Sequence, residues 1–96
     1  MSETILEEAQ RIVYGDREQT YGRPNVDFER TGRMWGAILS DWAMTTRGKG
    51  AVPTHLVAAC MAALKLSRIV QTPTNRDSWT DLAGYAAAGY RTVETL

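Results

Sequence analysis

The sequence predicts an all-α domain of four helices, one short at the N-terminus and three longer. Two observations carry that reading. Apolar residues recur at three- and four-residue spacing in four separate stretches, and no stretch alternates apolar with polar residues over the length of a strand. Gly15, Pro24, Gly48, Gly50, Pro53 and Pro73 fall at the joints between those stretches, where turn formers are expected. A chain of 96 residues makes one domain, residues 1–96, with no internal repeat.

The first helix is expected over residues 3–14. Ser2 and Thr4 offer a hydroxyl cap, Glu3, Glu7 and Glu8 put acid in the first turn, and Ile5, Ala9, Ile12 and Val13 make an apolar stripe. Gly15 is the expected stop. Residues 15–24 follow with two glycines, a proline and no apolar period, so they read as a loop. That loop carries Arg17, Tyr21 and Arg23. Arginine offers a planar donor fork for phosphate, and tyrosine a face on which a base can stack. The alternative is a plain connector with Tyr21 tucked under a neighbouring helix.

The second helix is expected from a cap at Asn25 to about Ala43. Phe28, Thr31, Trp35, Ile38, Leu39 and Trp42 mark its apolar side, with Asp27, Glu29, Arg30, Arg33 and Asp41 largely on the other. Gly32 and Gly36 each weaken it by about 1 kcal/mol relative to alanine, and leave a smooth strip where another backbone can approach. Thr45 to Val52 is a loop; its Gly48-Lys49-Gly50 lacks the spacing of a Walker phosphate loop. Pro53 opens a third helix reaching about Gln71. From Leu56 to Leu64 it is apolar all round, which marks a central helix surrounded by other helices or by a second subunit. His55 sits at its exposed start, and Cys60 reads as a buried, inert thiol. Asn75 or Asp77 caps the last helix, which runs close to Leu96 with Trp79, Leu82, Ala83, Ala86, Tyr90 and Val93 on its buried side.

Composition narrows the function classes. Hydrophobic residues make up 44%, enough for a core, yet a domain this small is only modestly stable alone, so a homo-oligomer is expected. Lys and Arg number 11, as do Asp and Glu, and this balance argues against general nucleic-acid or acidic-membrane binding. The lone Cys60 allows neither an internal disulfide nor a cysteine zinc cage. The acidic N-terminus does not read as a signal peptide, and the run from Leu56 to Leu64 is too short to span a bilayer. A soluble protein of a reducing cytoplasm is the expectation.

The stretch from Leu64 to Tyr85 gathers the polar chemistry. Lys65 and Arg68 share one helix face at i and i+3, while Asp77 and Asp81 share a face of the next helix at i and i+4. A short connection favours an antiparallel hairpin, in which these groups meet. Arg17, Arg23, Lys65, Arg68 and Arg76 form a set of cations, with Tyr21 and Tyr85 close by and the N–H groups of the last helix available for an anion. This suits a phosphorylated, ring-bearing ligand. A purely structural salt-bridge network from Lys65 and Arg68 to Asp81 is the competing reading. Ser67 and Ser78 have no histidine with an orienting acid, so nucleophilic catalysis finds no support. A Mg²⁺-dependent hydrolase would have to draw on Asp27, Glu29, Asp77 and Asp81, a thin set for an octahedral ion.

Gly15-Asp16-Arg17, Thr20-Tyr21-Gly22 with Phe28 beyond, Leu64-Lys65-Leu66-Ser67-Arg68-Ile69, and the run from Arg76 to Ala86 together resemble a family of small proteins found mostly in bacteriophages and prophages. The resemblance covers nearly the whole chain. A more distant similarity is to the proteins called nucleotide-modification-associated domain one, on Tyr21-Gly22, Lys65 with Arg68, and Asp77 with Asp81-Leu82. Asp81-Leu82-Ala83-Gly84-Tyr85 also resembles the MazG-like all-α nucleotide pyrophosphohydrolases, but Glu7-Glu8 is followed by Arg11, so the third acid of their metal motif is absent. These resemblances imply the cytoplasm of an infected or lysogenic bacterial host, and either alteration of the nucleotide pool or sequestration of a nucleotide second messenger of host defence.

The leading expectation is therefore a ligand-binding homo-oligomer that holds a nucleotide-derived molecule without turnover and without cofactor or metal. Arg17, Arg23, Lys65, Arg68 and Arg76 would meet phosphate, Tyr21 and Tyr85 the ring, with Asp81 in the same cluster. A MazG-like enzyme using Asp77, Asp81 and Glu29 to hold Mg²⁺ is the first alternative. A protein-binding module using Trp35, Trp42 and the apolar third helix is the second.

Overall fold

The computed structural model describes residues 2–15 and 23–94. Among them are four helices and no strand: α1 (Ile5–Tyr14), α2 (Pro24–Thr46), α3 (Thr54–Gln71) and α4 (Arg76–Glu94). The expected all-α, four-helix class is what the chain adopts.

α1 starts on a complete capping box. Thr4 Oγ1 accepts the Glu7 amide at 3.1 Å, and the Thr4 amide donates to Glu7 Oε1 at 3.2 Å, so two donors that a helix start leaves unpaired are satisfied reciprocally. Arg11 reaches back to Glu3 at 3.2 Å. Nothing in α1 is buried, and it joins none of the extensive interhelical contacts.

α2 opens one residue earlier than expected, with Pro24 at its first position and Arg23, not Asn25, as the cap. The reason is local. Proline disfavours the α region for the residue before it, holding Arg23 extended at φ −69° and ψ 137°, while its own fixed φ suits the first helical position. The helix also runs past Ala43 to Thr46. It stops where Arg47 turns left-handed at φ 57° and Gly48 follows at φ 71°, with the Gly48 amide donating to Ala43 O at 3.1 Å.

α3 is the central helix, packed on α2 along one side and on α4 along the other. Its contacts with each partner follow one antiparallel register. Ser67 meets Asp27 and Arg30, and Cys60 meets Trp35, along α2; Lys65 meets Asp81, and Ala58 meets Gly89, along α4. The Gly89 position is a close approach, since a Cβ there would lie 2.7 Å from Ala58 Cβ. The turn into α4 is tied by the Asp77 amide donating to Asn75 Oδ1 at 3.0 Å, which makes Asn75 the cap, and by Trp79 Nε1 donating to Pro73 O at 2.8 Å.

Two apolar stripes differ from expectation. On α2, Phe28 is 65% exposed while Asp27 is buried, because the buried hydroxyl of Ser67 on α3 draws the carboxylate inward. On α4 the side against α3 is Ser78, Leu82, Tyr85 and Gly89, so Trp79, Ala86 and Tyr90 stand outward. Trp79 is turned instead onto the preceding loop by its bond to Pro73. Among the described residues, Cys60 and Ala63 are the only fully buried apolar side chains, beside buried Asp27, Thr31, Ser67 and Ser78. Gly32 and Gly36 have open space where a side chain would stand, so none of the described residues approaches them closely.

Candidate functional site

The last turns of α3 meet the first turns of both α2 and α4, and polar side chains collect there. Ser67 is fully buried, a small hydroxyl within the sequence Leu64-Lys65-Leu66-Ser67-Arg68-Ile69. Its Oγ donates to Asp27 Oδ1 at 3.1 Å, and Arg30 donates from Nη1 to the Ser67 carbonyl at 2.8 Å. Thr31 Oγ1 bonds the Asp27 carbonyl at 2.8 Å, closing the same cluster from within α2. A buried carboxylate is costly unless hydrogen-bonded, and here the Ser67 hydroxyl donates to it. Neither the Asp27 nor the Arg30 position follows from the period of α2. The one available signal was Ser67, a lone hydroxyl in an apolar helix, which needs a partner on whatever helix covers it.

On the other side of α3, Lys65 reaches Asp81 at 3.0 Å. The lysine side chain is only 12% exposed, whereas the aspartate is 48% exposed. One member of each pair thus meets across the hairpin, Lys65 with Asp81. Arg68 lies one turn further along α3 and is half-buried; Arg76 and Asp77 are exposed in the first turn of α4, and Arg23 is exposed at the start of α2. Tyr85 stands one turn beyond Asp81, half-buried, at the edge of an apolar groove that also takes in His55, Ala62 and Tyr90. Arg17 and Tyr21 lie outside the described residues. Glu29 pairs with Arg33 at 3.6 Å on the exposed side of α2. Glu29, Asp77 and Asp81 do not converge, and among the described residues no three acidic, histidine or cysteine side chains come together to hold a metal ion.

The hydroxyl of Ser67 is sealed from solvent and committed to Asp27. Burial pushes the Cys60 thiol above its ordinary pKa, which keeps it protonated and unreactive near neutral pH. Lys65 is different in kind: a cation held in position inside an apolar helix face, with a half-exposed counter-ion.

Comparison with known proteins places the chain in a family. Residues 4–93 match the family described as Domain of unknown function (DUF6378), and the chain belongs to it. It is 36% identical over 94 residues to the Gene 55 protein of Mycobacterium phage D29, covering 98% of this chain and 56% of that relative. It is 35% identical over 83 residues to the Gene 55 protein of Mycobacterium phage L5, covering 86% of this chain and 48% of the relative. The chain therefore spans about half the length of these phage relatives. No solved structure matches it. The expected phage family is thus established, while neither the family match nor these relatives connects the chain to the nucleotide-modification-associated or MazG-like proteins. No helix is long and apolar enough to cross a membrane among the described residues.

Proposed function

We propose that the polar end of α2, α3 and α4 binds a phosphorylated, nucleotide-derived ligand and holds it intact. Lys65 is the central contact, Arg68, Arg76 and Arg23 supply further donors to phosphate, and Tyr85 meets the ring. Arg17 and Tyr21 complete the set from the segment between α1 and α2. The observation that carries this reading is the asymmetry of the Lys65–Asp81 pair, 12% against 48% exposed at 3.0 Å. A lysine kept in place beneath the surface loses little side-chain freedom on meeting an anion, and a half-exposed aspartate is a partner that a phosphate can replace. The first turn of α4, beside Asp81, adds backbone donors and the positive end of the helix dipole.

Binding without turnover needs no metal, and no three described acidic, histidine or cysteine side chains gather to hold one. The phage relatives support the biological side of the reading: sequestration of a host-defence second messenger requires a phosphate-complementary pocket and no chemistry. The test is to incubate the purified chain with a pool of linear and cyclic nucleotides, with and without Mg²⁺, and to analyse bound and free fractions by mass spectrometry after heat release. One nucleotide retained and released unchanged is expected. Lys65→Ala and Arg68→Ala should each abolish retention while the helical circular dichroism stays intact. A shortened product that appears only with Mg²⁺ would establish hydrolysis instead. Variants that unfold would leave the pair with a structural role alone.

A further inference from the structure

Away from the polar end, the described residues include two open apolar surfaces. One is the face of α1 made by Ile5, Ala9, Ile12 and Val13, which bounds a shallow space of about 260 Å³ and contains no fully buried residue. The other is an open groove of about 270 Å³ between the first half of α3 and the last half of α4, floored by Ala58, Ala59, Ala62, Ala86 and Gly89. The alanines and the glycine keep the groove low between its walls, and its length of two to three turns is that of a helix of about ten residues at 1.5 Å per residue. A helix that is strongly amphipathic yet buries none of its apolar side is not at rest in water.

The area of these 96 residues exceeds that of a compact monomer of the same mass. The accessible surface of the chain is 7235 Å² and its mass 10.7 kDa, where the scaling of folded monomers gives about 5,500 Å² for that mass. Its radius of gyration is 16.0 Å, against about 12.5 Å for a compact chain of this length. The excess is about 1,700 Å² per chain, or about 3,400 Å² for a pair, within the roughly 2,000–5,000 Å² that obligate homodimers bury. A formal charge of zero leaves no net repulsion between copies.

We infer that the occupant of the groove is α1 of a second copy, so that two chains exchange their first helices reciprocally about a two-fold axis. Each copy then covers the exposed side of α3 and α4 in the other, and each α1 gains the cover that its own chain does not give it. The groove shares Tyr85 with the polar end, but substitutions at Ala86 and Ile12 alter no residue proposed to meet the ligand, so the oligomeric mass is read separately from ligand retention.

Light scattering coupled to size exclusion on the full chain tests this directly. The unaltered chain should run at twice its 10.7 kDa mass. Ala86→Glu in the groove and Ile12→Glu on α1 should each give the single-chain mass. Ala86 is exposed within one chain and glutamate is a good helix former, so that variant keeps its fold, which circular dichroism will verify. Mixing Ala9→Cys chains with Ala86→Cys chains under oxidation should yield a covalent pair of one of each. A single-chain mass for the unaltered protein, a dimer that survives either glutamate, or a double Ala9→Cys, Ala86→Cys chain that closes only on itself would each overturn the exchange.

Discussion

Where the last turns of α3 meet α2 and α4, polar side chains are buried; where its first turns run beside the end of α4, apolar side chains lie open. The ordinary arrangement of a small helical domain is inverted at both places. Asp27, Thr31, Ser67 and Ser78 are sealed in, while Val57 and Tyr90 are left out. The two departures have different physical meanings. A buried, satisfied polar cluster fixes how helices meet, because any shift strands a donor or an acceptor. An open apolar groove fixes nothing within the chain, and lowers the free energy only when something covers it.

The comparison is broken most sharply at Ser67. Ser67→Val removes the donor to Asp27 Oδ1 and forces branched methyl groups against a buried carboxylate. The lost charge-assisted bond and the overpacking together should destabilise the fold by about 3 kcal/mol. In a domain of this size that lowers the melting temperature by more than about 10 °C, readable by circular dichroism. If the variant melts within a degree or two of the parent, the polar cluster is not what holds α2 to α3.

At the other end, the informative position is Gly89. Gly89→Ala places a Cβ 2.7 Å from that of Ala58 and must push α4 away from α3. The strain, less the gain in helix propensity, should leave a net loss of about 1 kcal/mol. Ala58→Gly in the same chain should recover part of the packing strain, giving a positive coupling in a double-mutant cycle of thermal or urea unfolding. Strict additivity would mean that the two helices are not in contact there.

A milder change probes the turn that joins the two regions. Trp79→Phe keeps an aromatic ring on a half-exposed site but removes the 2.8 Å bond from Nε1 to Pro73 O. The loss should be about 1 kcal/mol or less, with faster amide exchange at Asn75 and Asp77 as its local signature.

These positions also mark how far the sequence could be read. The helix count, the central place of α3 and the meeting of Lys65 with Asp81 follow from period, composition and a short connection, all of which are local. Asp27 and Phe28 were transposed because a helical period reports what a helix would bury against an apolar neighbour, and the neighbour here presents Ser67. The stripe of α4 was misplaced for a related reason: Ser78 and Gly89 pack by being small, and Trp79, for all its apolar area, is held to the turn by its indole N–H. Asn25 lost the cap to the constraint that Pro24 puts on Arg23. In the candidate site, Arg17 and Tyr21 lie outside the described residues, so only the part on α2, α3 and α4 could be compared.

The smallest effect concerns α1, which belongs to neither packed region and is held in shape by its own ends. Hydrogen bonds from Thr4, side chain first and backbone second, keep the Glu7 carboxyl below its ordinary value of 4.5. A carboxyl whose pKa is lower folded than unfolded contributes in full above the unfolded value and loses that contribution as pH falls through the lowered one. Acidification from above 4.5 should therefore loosen the start of α1 before the contacts of α3 respond. The Thr4 and Glu7 amides, followed by NMR exchange, should lose protection while the Ser67 amide keeps its own. With α1 clamped in a second copy, as the exchange requires, its amides resist acid until the dimer parts, so the loosening belongs to dilute single chains and the titration shifts with protein concentration.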